Sequence, residues 1–446
     1  MKTLPLTPLE AYLYEDDVPA HPCWQVVRLE WEGSLRREAL ERAWAEATRR
    51  QPLLGARVTR GPLGGLRWDL SERVEPPLHW IPGSGRQWPE WQPIDLARGP
   101  GARLYVLEEA GHAHTILCAH HAVCDGLSLL DVLEDTFSAY TRELGEPCAA
   151  RPAPLGGSLR QRGQYGSGWI GRFTIPLMQL AGFAIEAKLL RRTVAPLVPH
   201  EPAPDDGPRP AEWPATVRRT WDPKATAAVR DAAKHAASGL PELLMRDLQA
   251  AIGSWRTSVG AGVPEDWIRL GTAIGLRRKI RGSWPAANLF GIAIIDRQQR
   301  SLANRARLLR RAREDTALIE RWSLAYGFWT LLSLRRFAPG GIRAYARRRV
   351  VRMSFVMSFI GKVFSRTSLR REGRFVAVPG AVMKDVWGFA PTRPGTCATM
   401  DLAIIFSQLV ACLHYDPRVV SPGQAAAFMD AFAAELSKSV AGEPPA

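Results

Sequence analysis

An apolar run of β-forming residues, 113–119 (AHTILCA), leads without a spacer into His120-His121-Ala122-Val123-Cys124-Asp125-Gly126. Beyond it the apolar positions Leu130, Leu133, Phe137, Tyr140 and Leu144 step by 3, 4, 3 and 4. The first pattern predicts a strand and the second a helix over 126–144 with one buried face. Just before the run, 104–108 (LYVLE) and the polar break 109–112 predict that this strand closes an antiparallel hairpin. Seven residues rich in titratable groups are therefore fixed where a sheet ends and a helix begins. A chain with this arrangement needs a layered α/β or α+β fold, with the junction at the end of a sheet.

The junction admits three readings on its residues alone. A histidine titrates near neutrality, so one held at a strand end can take a proton from a hydroxyl or an amine. Asp125 then either orients a ring nitrogen or binds an arginine that pins the loop, and Gly126 lets another group approach the backbone closely. In the second reading the histidines only end the strand and Asp125 is the N-cap of the helix. The third is a metal site of His120, His121 and Cys124. Adjacent strand residues point to opposite faces, so that site requires the strand to have ended already.

Elsewhere, 23–31 (CWQVVRLEW) predicts a strand, and Ser34 is placed to cap a helix carrying Leu35, Ala39, Leu40, Ala43, Trp44 and Ala47, which ends near Gln51-Pro52. Residues 146–217 are rich in proline, with an apolar piece at 170–190, and read as a connector. Order resumes with 221–226, an amphipathic stretch through Trp255 and a strand over 267–274. Residues 402–415 (LAIIFSQLVACLHY) predict a hairpin, and Ser421, Pro422 and Gln424 form a capping box before a helix burying Ala425, Phe428, Phe432 and Leu436. The expected division is 1–150 as an N-terminal lobe, 151–217 as connector and 218–446 as a C-terminal lobe.

The 446 residues are 46% apolar and 23% charged, which suits core-forming lobes and excludes a disordered or collagen-like chain. Six scattered cysteines, two of them (Cys118 and Cys412) in apolar runs, fit a reducing, cytoplasmic compartment better than a disulfide framework. The N-terminus turns acidic before a signal sequence could form, and the apolar stretches 173–185 and 322–334 are too short to span a bilayer. The net charge is +15, and 297–352 alone holds fifteen arginines against Glu314, Asp315 and Glu320. Such an excess attracts phosphates of a coenzyme, a carrier-protein arm, an anionic lipid surface or nucleic acid, and it also occurs on plain solvated surfaces. The segments 170–190 and 322–337, flanked by Arg172, Arg191, Arg192, Arg335 and Arg336, suit either the membrane interface or a cover over an internal tunnel. A nucleic-acid-binding role leaves the histidine junction unexplained. His200, His235 and His414 stand outside any motif and read as structural or surface residues.

HHAVCDG resembles the HHxxxDG motif of the superfamily that contains condensation domains, polyketide-associated acyltransferases, wax ester synthase/diacylglycerol acyltransferases and chloramphenicol acetyltransferase. Further segments resemble that superfamily in the right order: LTPLEAYLY, RRQPLLGARV, PIDLARGPGARLYVL, SGLPELLMRDLQAAIGSW, GLRRKIRGSWPAANLFGIAI, MSFIGKV and LHYDPRVVSPGQAAAFMDAFAAEL. The resemblance implies a two-lobed, chloramphenicol-acetyltransferase-like α/β pseudo-dimer made of α+β sandwiches, with an active-site tunnel between the lobes. It implies that His121 is the general base and that Asp125 is a positioning residue paired with Arg57, Arg277 or Arg278. His120 becomes structural, Gly126 makes room for a thioester and Ser358 lines the acyl pocket. It implies no bound cofactor and no metal; acyl-CoA or a phosphopantetheine thioester would be the co-substrate. Partners would be that donor, a lipophilic alcohol or amine acceptor, and optionally an anionic inner-membrane surface with peripheral attachment. Ester formation on a hydroxyl is the leading expectation, with amide formation or a catalytically silent docking relative as alternatives. The chain departs from the wax ester synthase pattern at Pro241-Glu242, and near Ile94-Asp95 it has no Pro-Leu-Trp. Phe359 replaces an asparagine in MSFIGKV. Asp385-Val386-Trp387-Gly388 matches the plant enzymes' DFGWG only in part and reads equally as a strand and turn.

Overall fold

The computed structural model describes residues 3–62, 64–82, 88–152, 158–163, 191–200, 207–277, 284–348 and 350–442. The apolar segment 170–190, Arg172 and Arg278 lie outside them. Within the described residues the first half supplies β1 (Thr3–Pro5), β2 (Trp24–Gly33), β3 (Arg57–Arg60), β4 (Leu66–Asp69), β5 (Leu78–Pro82), β6 (Ala102–Glu109) and β7 (His112–His120). The second half supplies β8 (Ala215–Trp221), β9 (Trp267–Gly275), β10 (Phe290–Gln298), β11 (Phe355–Lys362), β12 (Arg370–Glu372), β13 (Phe375–Val378), β14 (Ala381–Phe389), β15 (Ala398–Ile405) and β16 (Gln408–Tyr415).

Two mixed sheets form the two lobes. One has the order β12-β13-β14-β2-β7-β6-β5, the other β10-β9-β11-β15-β16-β8, and β1, β4 and β3 make a small third sheet. The expected hairpins are present: β6 pairs with β7 and β15 with β16, both antiparallel. The chain also crosses back. Strands β12–β14 join the first sheet, where β14 lies antiparallel to β2 from Phe389↔Val26 to Ala381↔Gly33. At Gly388 a side chain would collide with the Val26 carbonyl, so only glycine allows this approach.

Helices Arg37–Arg49 and Gly126–Glu143 lie together beside the first sheet. The predicted face of Gly126–Glu143 is the buried one, with Leu130, Leu133, Phe137 and Tyr140 all in the core. Burying a leucine or phenylalanine in this way contributes about 1.5–3 kcal/mol. The second lobe has its own core, in which Leu244 and Leu248 of helix Leu240–Ser258 meet Phe355 and the Phe428 and Phe432 side chains of helix Pro422–Ala441. The latter helix starts with the predicted capping box, Ser421 and Gln424 exchanging backbone bonds.

Three expectations change. Ser34 does not cap: the helix begins at Arg37 with Arg36 at the N-cap position and no side-chain cap, and the Ser34 amide instead donates to the Gly380 carbonyl, tying the end of β2 to the β13–β14 turn. The amphipathic stretch up to Trp255 is two helices, Pro223–His235, capped by Asp222, and Leu240–Ser258. The basic segment is partly internal rather than a free surface. Arg305 pairs with Asp247 and Glu435, Arg297 with Asp315, and the Arg352 guanidinium lies against the rings of Tyr12 and Tyr345. Within 322–337, Phe328, Trp329 and Leu332 of helix Gly327–Arg335 face inward, whereas Phe337 is 89% exposed. Among the described residues no helix is long and apolar enough to cross a membrane.

Candidate active site

The strand β7 ends at His120, opposite Trp24 of β2. His120 commits its side chain and its carbonyl, which accepts from the Val123 amide, to the turn that follows. Its amide donates to the Gly101 carbonyl, its Nδ1 accepts from the Ala122 amide at 3.0 Å, and its Nε2 lies 3.6 Å from the Asp17 carboxylate. At 1% exposure it is a buried brace for the loop. His121, the first residue past the strand, lines the cavity between the lobes, which His120 does not. Its amide donates to the Cys23 carbonyl and its ring lies over Phe290, with centroids 5.4 Å apart and planes 22° apart.

The His121 Nδ1 is 3.2 Å from the Cys124 carbonyl oxygen. A carbonyl only accepts, so Nδ1 carries the proton and donates, which leaves Nε2 with a free lone pair. The same carbonyl accepts from the Gln25 side-chain amide, which holds it in place. Burial keeps the imidazole below its usual 6.5, although the Asp125 carboxylate and the Cys124 carbonyl pull it upward. The ring is consequently neutral, and able to accept a proton, at physiological pH.

Asp125 caps helix Gly126–Glu143 through the Ser128 amide at 2.9 Å, as the structural reading anticipated. It also does more. Its two oxygens receive two parallel bonds from the Arg277 guanidinium, both 2.8 Å, and a fourth from the Leu289 amide at 2.8 Å. Burial raises the carboxyl, but the Arg277 charge and these donors outweigh it and leave the group below the ordinary carboxylate range. Arg277 is thus the partner that the sequence left open among three arginines. Arg57 stands at the surface, 3.4 Å from Glu72, and Arg278 is outside the described residues.

Arg277, Leu289 and Asn288 belong to the second half of the chain, so the junction is stitched across the lobes. The Asn288 side-chain amide donates to the carbonyls of His121 at 2.8 Å and Ala122 at 3.0 Å, and the Ser128 hydroxyl donates to Ala287 at 2.9 Å. Asn288, Phe290 and Gln25 were not singled out from the sequence. The first two fall within GLRRKIRGSWPAANLFGIAI, the stretch that carried part of the resemblance, but nothing local in it marks them.

The His121 ring reaches a cavity of about 260 Å³ lined by both lobes. Its walls alternate along the strands of the second sheet: Val356, Ser358 and Ile360 of β11 face it, and so do Asp401, Ala403 and Ile405 of β15. From the first lobe come Gln25, the start of helix Gly126–Glu143 and the end of β14 around Trp387. Gly126 lies on this wall, where an added Cβ would meet only the Gln25 Oε1 at 3.7 Å. Ser358 also lies there, directly opposite Asp401 in the β11–β15 pairing. The stretch 385–388 is part of the paired strand β14. Phe328 lines the cavity as well, so the inward face of helix Gly327–Arg335 helps to cover it.

No protein-family model matches the sequence, and no curated protein does. Solved structures do match over nearly the whole chain. The first condensation domain of the CDA synthetase has a TM-score of 0.71 at 16% identity, covering 98% of this chain and 96% of that one. The epimerization domain from the third module of tyrocidine synthetase B has a TM-score of 0.66 at 13% identity, with 99% and 97% covered. Polyketide synthase associated protein 5 from Mycobacterium tuberculosis has 0.64 at 15% identity, with 98% of each chain covered. The two lobes, the crossing strands and the cavity between them therefore make up the condensation-domain fold.

Proposed function

We propose that the protein is an acyltransferase that moves an acyl group from a coenzyme A or carrier-protein thioester to a hydroxyl acceptor, with His121 as the general base. The observation that carries this reading is the imidazole itself. It is neutral, its Nδ1–H is committed to the Cys124 carbonyl, and it reaches the cavity between the lobes. In the reaction Nε2 takes the acceptor's hydroxyl proton as the oxygen attacks the thioester carbon. The C–O bond forms, the C–S bond breaks, and the proton on the imidazolium passes to the departing thiolate, so ester and thiol leave and the base is restored. No acyl-enzyme is needed.

The remaining residues have supporting roles. Asp125 is a positioning residue: with Arg277 it fixes the loop that holds His121. His120 braces the same loop from behind. Gly126 leaves space at the helix start for the thioester, and Ser358 is a wall residue of the substrate cavity. Amide formation is the second reading, suggested by the likeness in fold to the first condensation domain of the CDA synthetase. The test is incubation of the purified protein with a panel of acyl-CoA and acyl-carrier thioesters and extracted lipids, with products read by mass spectrometry. Thioester-dependent esters support the reading, amides shift it to the second, and the absence of any acylated product counts against both.

A further inference from the structure

One acid on the cavity wall has no task in the reaction above. Asp401 sits on β15 in a mostly apolar part of this wall, with Ala403 and Ile405 further along its own strand, Val356 and Ile360 on the neighbouring one, and Thr399 and Ser358 as its uncharged polar neighbours. Its Oδ2 accepts from the Ala390 amide at 2.7 Å, and Ser358 lies opposite it on β11. The other two carboxylates lining the cavity are each matched by an arginine. Asp125 has Arg277 at 2.8 Å and Asp16 has Arg393 at 2.7 Å. No cation pairs with Asp401 among the described residues. Burial pushes its carboxyl up to about 6, so near neutral pH it is ionised for most of the time but only partly compensated. A carboxylate in that position gains from any cation that enters the cavity.

Register fixes where such a cation would lie. Asp401 is opposite Ser358, Ser358 opposite Ala273, and Ala273 opposite Ile292, two residues along β10 from the Phe290 that stacks on His121. Three strand spacings place Asp401 roughly 14 Å from β10. The cation site is therefore three strands across the sheet from the Phe290 that stacks on His121, and is distinct from the atom that is acylated. We infer that Asp401 is the recognition site for a protonated amine at the distal end of the acceptor, which would be an amphiphilic amino alcohol with its hydroxyl at His121 and its ammonium on the Asp401 carboxylate. This rests on the acyl-transfer reading only in calling the ligand the acceptor.

The experiment needs no turnover. Octylamine, octanol and octanoate are titrated into the wild-type protein and into Asp401→Asn, Asp401→Ser and His121→Ala at pH 8, by calorimetry. The wild type binds octylamine at least tenfold more tightly than octanol and discriminates against octanoate. Both Asp401 variants lose that preference, and His121→Ala keeps it. An unchanged preference in the two Asp401 variants, or no preference in the wild type, overturns the inference. Failure of the transfer assay with the amine preference intact would instead remove the reaction and leave the cation site standing.

Discussion

The Asp125–Arg277 pair gives the strictest prediction about how the site is held. The carboxylate is 5% exposed and accepts four bonds, two of them from a guanidinium that is itself only 25% exposed. Replacing Arg277 by Met removes the partner and leaves a buried carboxylate with two backbone donors, a change that costs about 3–5 kcal/mol. Asp125→Asn keeps one acceptor oxygen but strands the guanidinium, with a smaller loss of roughly 2–3 kcal/mol. In the double variant neither charge is left unpaired, so the two losses do not add, and the cycle closes with a coupling of about 2–3 kcal/mol. Urea unfolding of the four proteins at pH 8 measures it. The sign with pH is fixed as well. The folded pKa of Asp125 is below its unfolded value, so the stabilisation is present above the unfolded pKa and is lost as pH falls through the folded one. A coupling below about 0.5 kcal/mol, within the range typical of exposed pairs, would refute the idea that this pair locks the lobes around His121.

Three further outcomes follow from the site. Because burial lowers the His121 pKa, the acid limb of log kcat/KM falls below pH 6.5, and a limb above pH 7 would point to a different base. Gly126→Val has room in the fold but fills the cavity wall, so KM rises at least about tenfold while Tm moves by no more than about 2 °C; a large loss of Tm would show that the glycine is there for the backbone. For Asp401 the folded pKa is raised from 3.8 to about 6, so the folded state loses stability as pH rises through that window and stays penalised above it. Asp401→Asn therefore gains about 1–3 kcal/mol at pH 8 and nothing at pH 3.5, and equal urea midpoints at pH 8 would contradict this.

Local patterns carried a good part of the fold. The steps of 3 and 4 after Gly126, the break at 109–112 and the Ser421–Gln424 box each rest on interactions within a few residues, and each element formed where expected. The return of β12–β14 to the first sheet had no such signal. Its register depends on pairing Phe389 with Val26 and on a backbone approach that Gly388 permits, neither of which leaves a periodicity. The site divided along the same line. His120, His121 and Asp125 are close in sequence and could be read together, whereas Arg277 and Asn288 meet them, and Asp401 joins their cavity, only through folding. The choice among Arg57, Arg277 and Arg278 needed coordinates, because three arginines have the same chemistry until one of them is buried against the carboxylate. Ser34 misled for a related reason: its capping preference is local, but the chain leaving β2 is tied to Gly380 and the helix starts only at Arg37.

The central claim is that one imidazole does the proton transfer. With the best donor and acceptor pair from the thioester panel, product formation by the wild type and by His121→Ala is compared at pH 8, with circular dichroism confirming an unchanged fold. Removing a positioned general base lowers the rate about 10²–10⁴-fold, and the account predicts a loss of that size. Turnover by His121→Ala within a few fold of wild type would contradict it.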